Sequence, residues 1–347
     1  LKIENLSLVW RCAIGTLLVL SIGQFFVRKT YDKDLYQVLQ VDQAIKEYRW
    51  HDAVVAVMQC SMVNPHLSSQ TNAALFHSNV LLDRLFSFPQ FYGSDGLVMN
   101  FEWCSYWPEE ASSIYWDLGL INESLHWAHE ALEEKGATPA ILERLGMIYL
   151  AKGNGDAAKP FLFNLKNIPF HETRADHLLM LADDSLQLAQ DSVINVMRSR
   201  MISENIIALA PSIPEKLELL LKKNYQNKMA FEYLMAFHLM NGNLQGLLDH
   251  FSKGKNFGYT RIPRHIQEAL LVIAASNPGV DKNQLNNMVQ PITFQRFTGF
   301  QQVFQKYQGN RESAKPELQR LFGDTYWYYL VYVRPDAQKL ENQNEFQ

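Results

Sequence analysis

Residues Leu8 to Val27 form a twenty-residue run, LVWRCAIGTLLVLSIGQFFV, that holds a single charge, Arg11. As a helix it spans about 30 Å, the thickness of a bilayer's hydrocarbon core. Arg11 lies near one end beside Trp10, so its guanidinium can reach the headgroups while its stem stays apolar, and the indole suits the interface. Arg28 and Lys29 close the other end. The uncharged stretch from Cys12 to Val27 is sixteen residues, short enough for a signal-peptide core or a buried helix as rival readings. A signal peptide needs a small-residue cleavage site after its core. Here Gly23 is followed by Gln24, Phe25, Phe26, Val27 and two basic residues, which favours a membrane span. Because the chain starts at Leu1 rather than Met, we expect the C-terminal part of a longer protein, with this span the last of several. Arg28, Lys29 and Lys33 slightly outweigh Lys2 and Arg11, but long domains do not follow that charge bias, so the side stays open.

Beyond Tyr31 apolar residues recur every three or four positions, as in Leu35 to Met62, Ala111 to Leu132, Pro139 to Leu165, Val193 to Leu209 and Ala230 to Phe251. Period-two alternation bounded by hairpin turns is absent. The segments are short and meet at Gly, Asn or Pro, including Asn64-Pro65, Gly119, Gly136, Gly153, Pro169 and Gly242, which is the punctuation of stacked helix pairs. With 47% apolar residues the chain can bury a core, which excludes a disordered tail. Its 32 basic against 36 acidic residues argue against a nucleic-acid partner, since no net positive charge is available to displace counterions.

Two segments align 34 residues apart. In the second, Leu145, Gly146, Tyr149, Gly153 and Ala158 take the places that Ala111, Ser112, Tyr115, Gly119 and Ser124 take in the first. A small residue at Gly146 or Ser112 lets the first helix approach the second, Tyr149 or Tyr115 fills the gap, and Gly153 or Gly119 eases the turn. At these places the chain resembles the tetratricopeptide (TPR) repeat family, most specifically over 105–138 and 139–172. It departs from that pattern at Leu142 and Pro108, where Trp is expected, and at Gly136, where the closing Pro is expected; in the other repeat that Pro is displaced to Pro169. Weaker copies place Ala53 and Pro65 twelve residues apart, and Phe231, Leu234, Gly242, Leu244 and Leu247 in register, with Met235 departing. Ala53 precedes Ser124 by 71 residues, so a degenerate repeat with an insertion near Phe88 to Asp95 fits between them.

The resemblance implies an all-α, TPR-like right-handed helical-repeat array preceded by one transmembrane helix. Its implied divisions are a span over 1–30, repeats over 31–172, degenerate repeats and capping helices over 173–335, and a loose polar tail over 336–347. The arrangement also resembles the soluble tail of an uncharacterised family of bacterial multi-pass membrane proteins, which implies placement in a cell membrane, the bacterial inner membrane, with residues 8–27 in the lipid bilayer. In the TPR family the first helix of each pair lines a concave groove. The corresponding residues here are Tyr106, Glu109, Ser113, Trp116 and Asp117, then Ala140, Glu143, Met147, Leu150 and Ala151. That apolar and acidic mix suits an extended or helical peptide with apolar anchors and a basic residue. Neighbouring helices of the same chain are the alternative occupant.

Other chemistry has plainer readings. His126 and His129 lie three apart near Glu123 and Glu130, but on a solvated outer face, so no metal is expected. The GNGDAA stretch has no preceding strand and no Lys-Ser/Thr after it, so it reads as a turn and not a phosphate loop. Cys12, Cys60 and Cys104 lack a CxxC partner, and Asp183, Asp184 and Asp191 read as exposed. Lys253, Lys255, Arg261, Arg264 and His265 form the densest basic stretch, a possible anion contact or an ordinary solvated linker. Tyr326, Trp327, Tyr328, Tyr329 and Tyr332 cap a last hydrophobic layer or present an aromatic docking surface. No catalytic constellation and no cofactor motif is present. The expected function is therefore a membrane-tethered, non-catalytic scaffold that binds a partner protein or peptide. The alternative is the accessory domain of a polytopic, glycosyltransferase-like membrane enzyme whose active site lies upstream of Leu1.

Overall fold

A computed structural model describes residues 8–202, 212–276 and 287–335. The expected polar tail, and the end of the helical stretch placed at Leu209, lie outside them. Every regular element among the described residues is helical, and they contain no strand: the fold is an all-α helical array preceded by one long apolar helix. The chain forms two compact units that part between Met62 and Val63.

The first unit holds α1 (Leu8–Thr30), α2 (Lys33–Lys46) and α3 (Trp50–Val57). From Trp10 onward every side chain of α1 is exposed, and the 21 residues Trp10–Thr30 are long and apolar enough to cross a bilayer. Asp32 caps α2 by accepting from the Asp34 and Leu35 amides. α2 packs on α3, and Val41, Ala44, Ala53 and Val54 are buried. Between them the chain turns at Tyr48 with φ +56°, and the Arg49 N–H donates back to the Ala44 carbonyl at 2.8 Å.

That turn recurs through the second unit. It closes α4 (Pro65–His77) against α5 (Leu81–Arg84) at Asn79, α7 (Pro108–Leu118) against α8 (Ile121–Lys135) at Gly119, and α9 (Pro139–Ala151) against α10 (Gly155–Lys166) at Gly153. Each turn residue has positive φ, and the next amide donates to the carbonyl five positions back: Val80 to Leu75, Leu120 to Tyr115, Asn154 to Tyr149. This is the geometry that satisfies the last carbonyls of a helix while reversing the chain. Asn79 and Gly119 are 40 residues apart, whereas Gly119 and Gly153 are 34 apart. The longer interval holds two short 3₁₀ turns, Leu85–Ser87 and Gly93–Gly96, around the expected insertion, and then α6 (Phe101–Tyr106).

Small residues set the spacing within the two aligned pairs. Ser112 on α7 and Ser124 on α8 are both buried, and each hydroxyl donates to the other's carbonyl at 2.8 Å, which draws the two backbones together. In the next pair Gly146 and buried Ala158 take those places, and a Cβ on Gly146 would stand 2.4 Å from Leu162 Cδ2. Gly146→Ala should therefore overpack this crossing and cost about 1–3 kcal/mol, read from denaturant unfolding; an unchanged midpoint would show that the pair has room to part.

After α10 come α11 (Glu172–Asp183), α12 (Ser185–Gln190), α13 (Ser192–Arg200) and α14 (Ile213–Lys223). They are followed by α15 (Lys228–Met240) and α16 (Leu244–Phe251), which turn at Gly242 in the same way. In this pair Met235 and Leu247 are fully buried, and the close approach moves to Gly246, where a Cβ would meet His238 at 2.5 Å. His238 stacks on His250 with ring centroids 5.5 Å apart. Burial first, and the neighbouring His250 second, lower its pKa to about 4. The folded protein thus keeps His238 neutral where an unfolded chain binds a proton below about 6.5. Stability should fall by up to about 3 kcal/mol as pH drops from 6.5 towards 4. His238→Leu should flatten that acid limb in unfolding curves recorded across the window, and an unaltered limb would assign it elsewhere.

The chain ends in α17 (Arg264–Ser276), α18 (Pro291–Lys306), α19 (Arg311–Phe322) and α20 (Tyr326–Tyr328), the last running into a π-turn over Tyr329–Val333. Tyr326, Trp327, Tyr328, Tyr329 and Tyr332 are all buried, so this aromatic run closes the core and presents no docking surface. Tyr329 stacks on Phe86 with centroids 4.5 Å apart and donates its hydroxyl to the Met240 carbonyl at 3.0 Å.

Candidate functional site

The expected inner face of α7 and α9 is closed by the chain itself. α13 packs on both helices, and its Met197 shares a core with Trp116, Ile141 and Ile148. Arg198 donates to the Leu150 and Ala151 carbonyls at 3.0 Å, capping the end of α9, and the Ile202 amide donates to the Gly119 carbonyl at 3.0 Å. Trp116 is 6% exposed and Leu150 and Ala151 are buried, so these are core positions and no open groove. Arg144 covers the Trp116 ring at 5.1 Å and donates to Ser113 Oγ at 3.3 Å. Met147 is half-buried under Arg174, which also pairs with Glu143 at 2.7 Å. Asp117 lies 3.0 Å from His77 Nε2, and Lys135 pairs with Glu109 at 3.5 Å. Of the ten residues expected to line the groove, only Tyr106, at 59%, and Ala140 are exposed.

Tyr106 belongs to an aromatic surface that the groove pattern did not include. Asn100 caps α6 by accepting from the Trp103 amide at 3.0 Å, and the short helix then spaces four rings along FEWCSYW. Trp103 and Trp107 stack with centroids 5.8 Å apart, Tyr106 leans on both, and Trp107 stacks on His66. Phe101 is 75% exposed, although its ring touches Trp127 at 5.3 Å. Exposed Glu102 sits between Phe101 and Trp103, and half-buried Glu109 follows in the first turn of α7. Aromatic density in those seven residues was the available signal. Beneath this surface, burial pushes the Cys104 thiol up to about 12, which keeps it an inert, neutral packing group.

The basic stretch divides in two. Lys253, Lys255 and Arg261 are exposed, whereas Arg264 and His265 are drawn inside. His265 Nε2 accepts the Phe86 N–H at 3.2 Å, which leaves Nδ1–H to donate to Glu268 at 2.8 Å. Arg264 donates to Glu268 at 2.8 Å and to Asp324 at 2.9 Å. These two residues are therefore structural cross-links between α17, the turn after α5 and the start of α20, and not anion contacts.

The remaining candidates do not converge. His129 reaches the Tyr149 hydroxyl at 3.1 Å, whereas His126 lies 3.9 Å from Glu130. Among the described residues no group of three or more His, Cys, Asp or Glu could hold a metal ion. Asp184 and Asp191 cap α12 and α13, and Asp183 pairs with Lys159 at 2.9 Å. The GNGDAA stretch is the turn between α9 and α10, where Asn154 accepts from the Ala157 amide. Cys12, Cys60 and Cys104 are all free thiols.

Comparison with curated proteins finds no match. Comparison with solved structures finds none either. A family model does match, over residues 2–333 and so across nearly all of this helical array, and the chain belongs to that family, a family of unknown function designated DUF6057.

Proposed function

We propose that the chain is a TPR-like repeat scaffold, held at a cell membrane by α1, that binds a partner protein or peptide on the aromatic surface of α6. The observation that carries this reading is the exposure of Phe101 and Tyr106 beside Trp103 and Trp107 on a well-packed array. Contiguous exposed aromatics are costly in water and are the residue types that dominate binding energy at interfaces. The acidic neighbours Glu102 and Glu109 favour a partner with an apolar anchor flanked by Lys or Arg. The array supplies rigidity: rings fixed by stacking lose little entropy on binding. No chemistry is assigned to these residues.

A photoreactive phenylalanine placed at Tyr106 in the full chain, in its native membrane, should form a discrete cross-linked adduct. Phe101→Ala combined with Glu102→Lys should reduce that adduct about tenfold, equivalent to ~1.4 kcal/mol, with the melting temperature unchanged because both side chains are exposed. No adduct, or one indifferent to the double substitution, would remove α6 as the docking surface.

A further inference from the structure

A cavity of about 620 Å³ opens between the 252–263 loop, the start of α17 and residues 287–291. We propose that it binds a single-chain anionic amphiphile, its acyl chain in the cavity and its head group at the mouth. The volume is within the range of small-molecule sites. Its floor is apolar: Phe231, Ile266 and Val289 are buried there, and Met288 is half-buried.

The walls are built in advance of any ligand. Phe231 stacks on Phe257 with centroids 4.8 Å apart, and Gly254 presses so closely that a Cβ there would lie 3.1 Å from Phe231 Cζ. Gly258, at φ +65°, then redirects the loop, and the Tyr259 hydroxyl donates to buried Glu232 at 2.6 Å. The loop is therefore strapped over the cavity from both ends of its span.

The buried polar side chain of the lining, Gln267, is already engaged with the protein. The Gln267 amide donates to the Ile262 carbonyl at 2.6 Å, and its oxygen accepts from the Gln290 amide at 2.7 Å and from Thr293 Oγ1 at 3.2 Å. The interior accordingly selects hydrocarbon, since a polar tail would enter without partners. The mouth is cationic. Lys255 is exposed on the rim with no ion-pair partner among the described residues. Arg261 is held there by Asp83 at 3.2 Å and Gln290 at 3.3 Å, which leaves donors of its guanidinium to spare. Apolar depth with an exposed lysine and the spare donors of an Asp83-paired arginine at the opening is complementary to one hydrocarbon chain ending in a carboxylate or phosphate. The docking surface on α6 uses none of these residues, so either assignment can fail without the other.

The full chain in lipid nanodiscs should be photolabelled by a diazirine-bearing medium-chain fatty acid or by the matching lysophosphatidic acid, and peptide mapping should place the label on residues 252–263 and 287–291. Which probe labels identifies the head group. The corresponding fatty alcohol should label at least fivefold less. Lys255→Gln with Arg261→Gln should lower labelling at least fivefold at an unchanged melting temperature, and Met288→Trp, which fills the cavity from a half-buried position, should abolish it while the helical circular dichroism signal is retained. Label confined to Leu8–Thr30, equal labelling by the alcohol, or labelling indifferent to both variants would overturn the proposal.

Discussion

Trp116→Ala is expected to destabilise the protein by about 3–5 kcal/mol, the cost of emptying an aromatic site in a closed core. The indole is 6% exposed and sits among Ile121, Ala128, Ile141, Ile148 and Met197. Removing it would also strip the Arg144 guanidinium of the ring it covers at 5.1 Å. Most of the loss should come from the seat of α13, because Met197 reaches α7 and α9 through this cluster. The informative comparison is Tyr106→Ala, which removes an exposed ring and should stay within about 0.5 kcal/mol of the parent. Urea unfolding of both variants separates the two positions. A loss below about 1 kcal/mol for Trp116→Ala would mean that α13 is not docked there.

The second large effect is expected at Glu268. Its carboxylate, 1% exposed, accepts from Arg264 Nε at 2.8 Å, from His265 Nδ1 at 2.8 Å and from the Tyr326 amide at 2.7 Å. Burial alone would raise its pKa, yet His265, Arg264 and the Tyr326 N–H together hold it below the ordinary value. Glu268→Ala leaves three donors facing no acceptor, one of them cationic, and should cost about 3–5 kcal/mol. Glu268→Gln retains an acceptor and should cost less. The sign with pH follows from the lowered pKa: this carboxylate stabilises the fold above the unfolded value near 4.5 and ceases to do so as pH falls below it. Glu268→Ala should therefore lose stability chiefly at neutral pH and converge on the parent in acid. A constant difference across pH would assign the cost to lost packing instead.

Much of the helical layout was legible from spacing. Gly119, Gly153 and Gly242 read as turns because glycine adopts positive φ at little cost, and all three do so. Asn79 gives a weaker signal of the same kind, whereas the positive-φ turns at Tyr48 and, between α18 and α19, at Gln308 give none, since a left-handed Tyr or Gln is held by its surroundings and not by its own preference. Ser112 and Ser124 were visible as small residues at a crossing, but not their reciprocal hydrogen bonds. The inner face was misread at Trp116 and Leu150 because their cover, α13, comes from some fifty to eighty residues downstream, a contact that periodicity cannot report. Arg264 and His265 counted as surface charge when read as a run. Their three- and four-residue spacing to Glu268 was the clue that they share a helix face with an acidic partner.

The seating of α13 also sets the terms on which anything else could occupy the inner face. A segment joined to the surface it covers competes at an effective concentration on the millimolar scale, whatever its abundance in the cell. A rival peptide at micromolar levels would have to bind about a thousandfold more tightly than α13 does, a difference of ~4 kcal/mol, simply to share the site equally. Chain connectivity thus makes the inner face of α7 and α9 selective by exclusion, and under the function proposed above recognition falls to the α6 surface, where Phe101 and Tyr106 remain exposed.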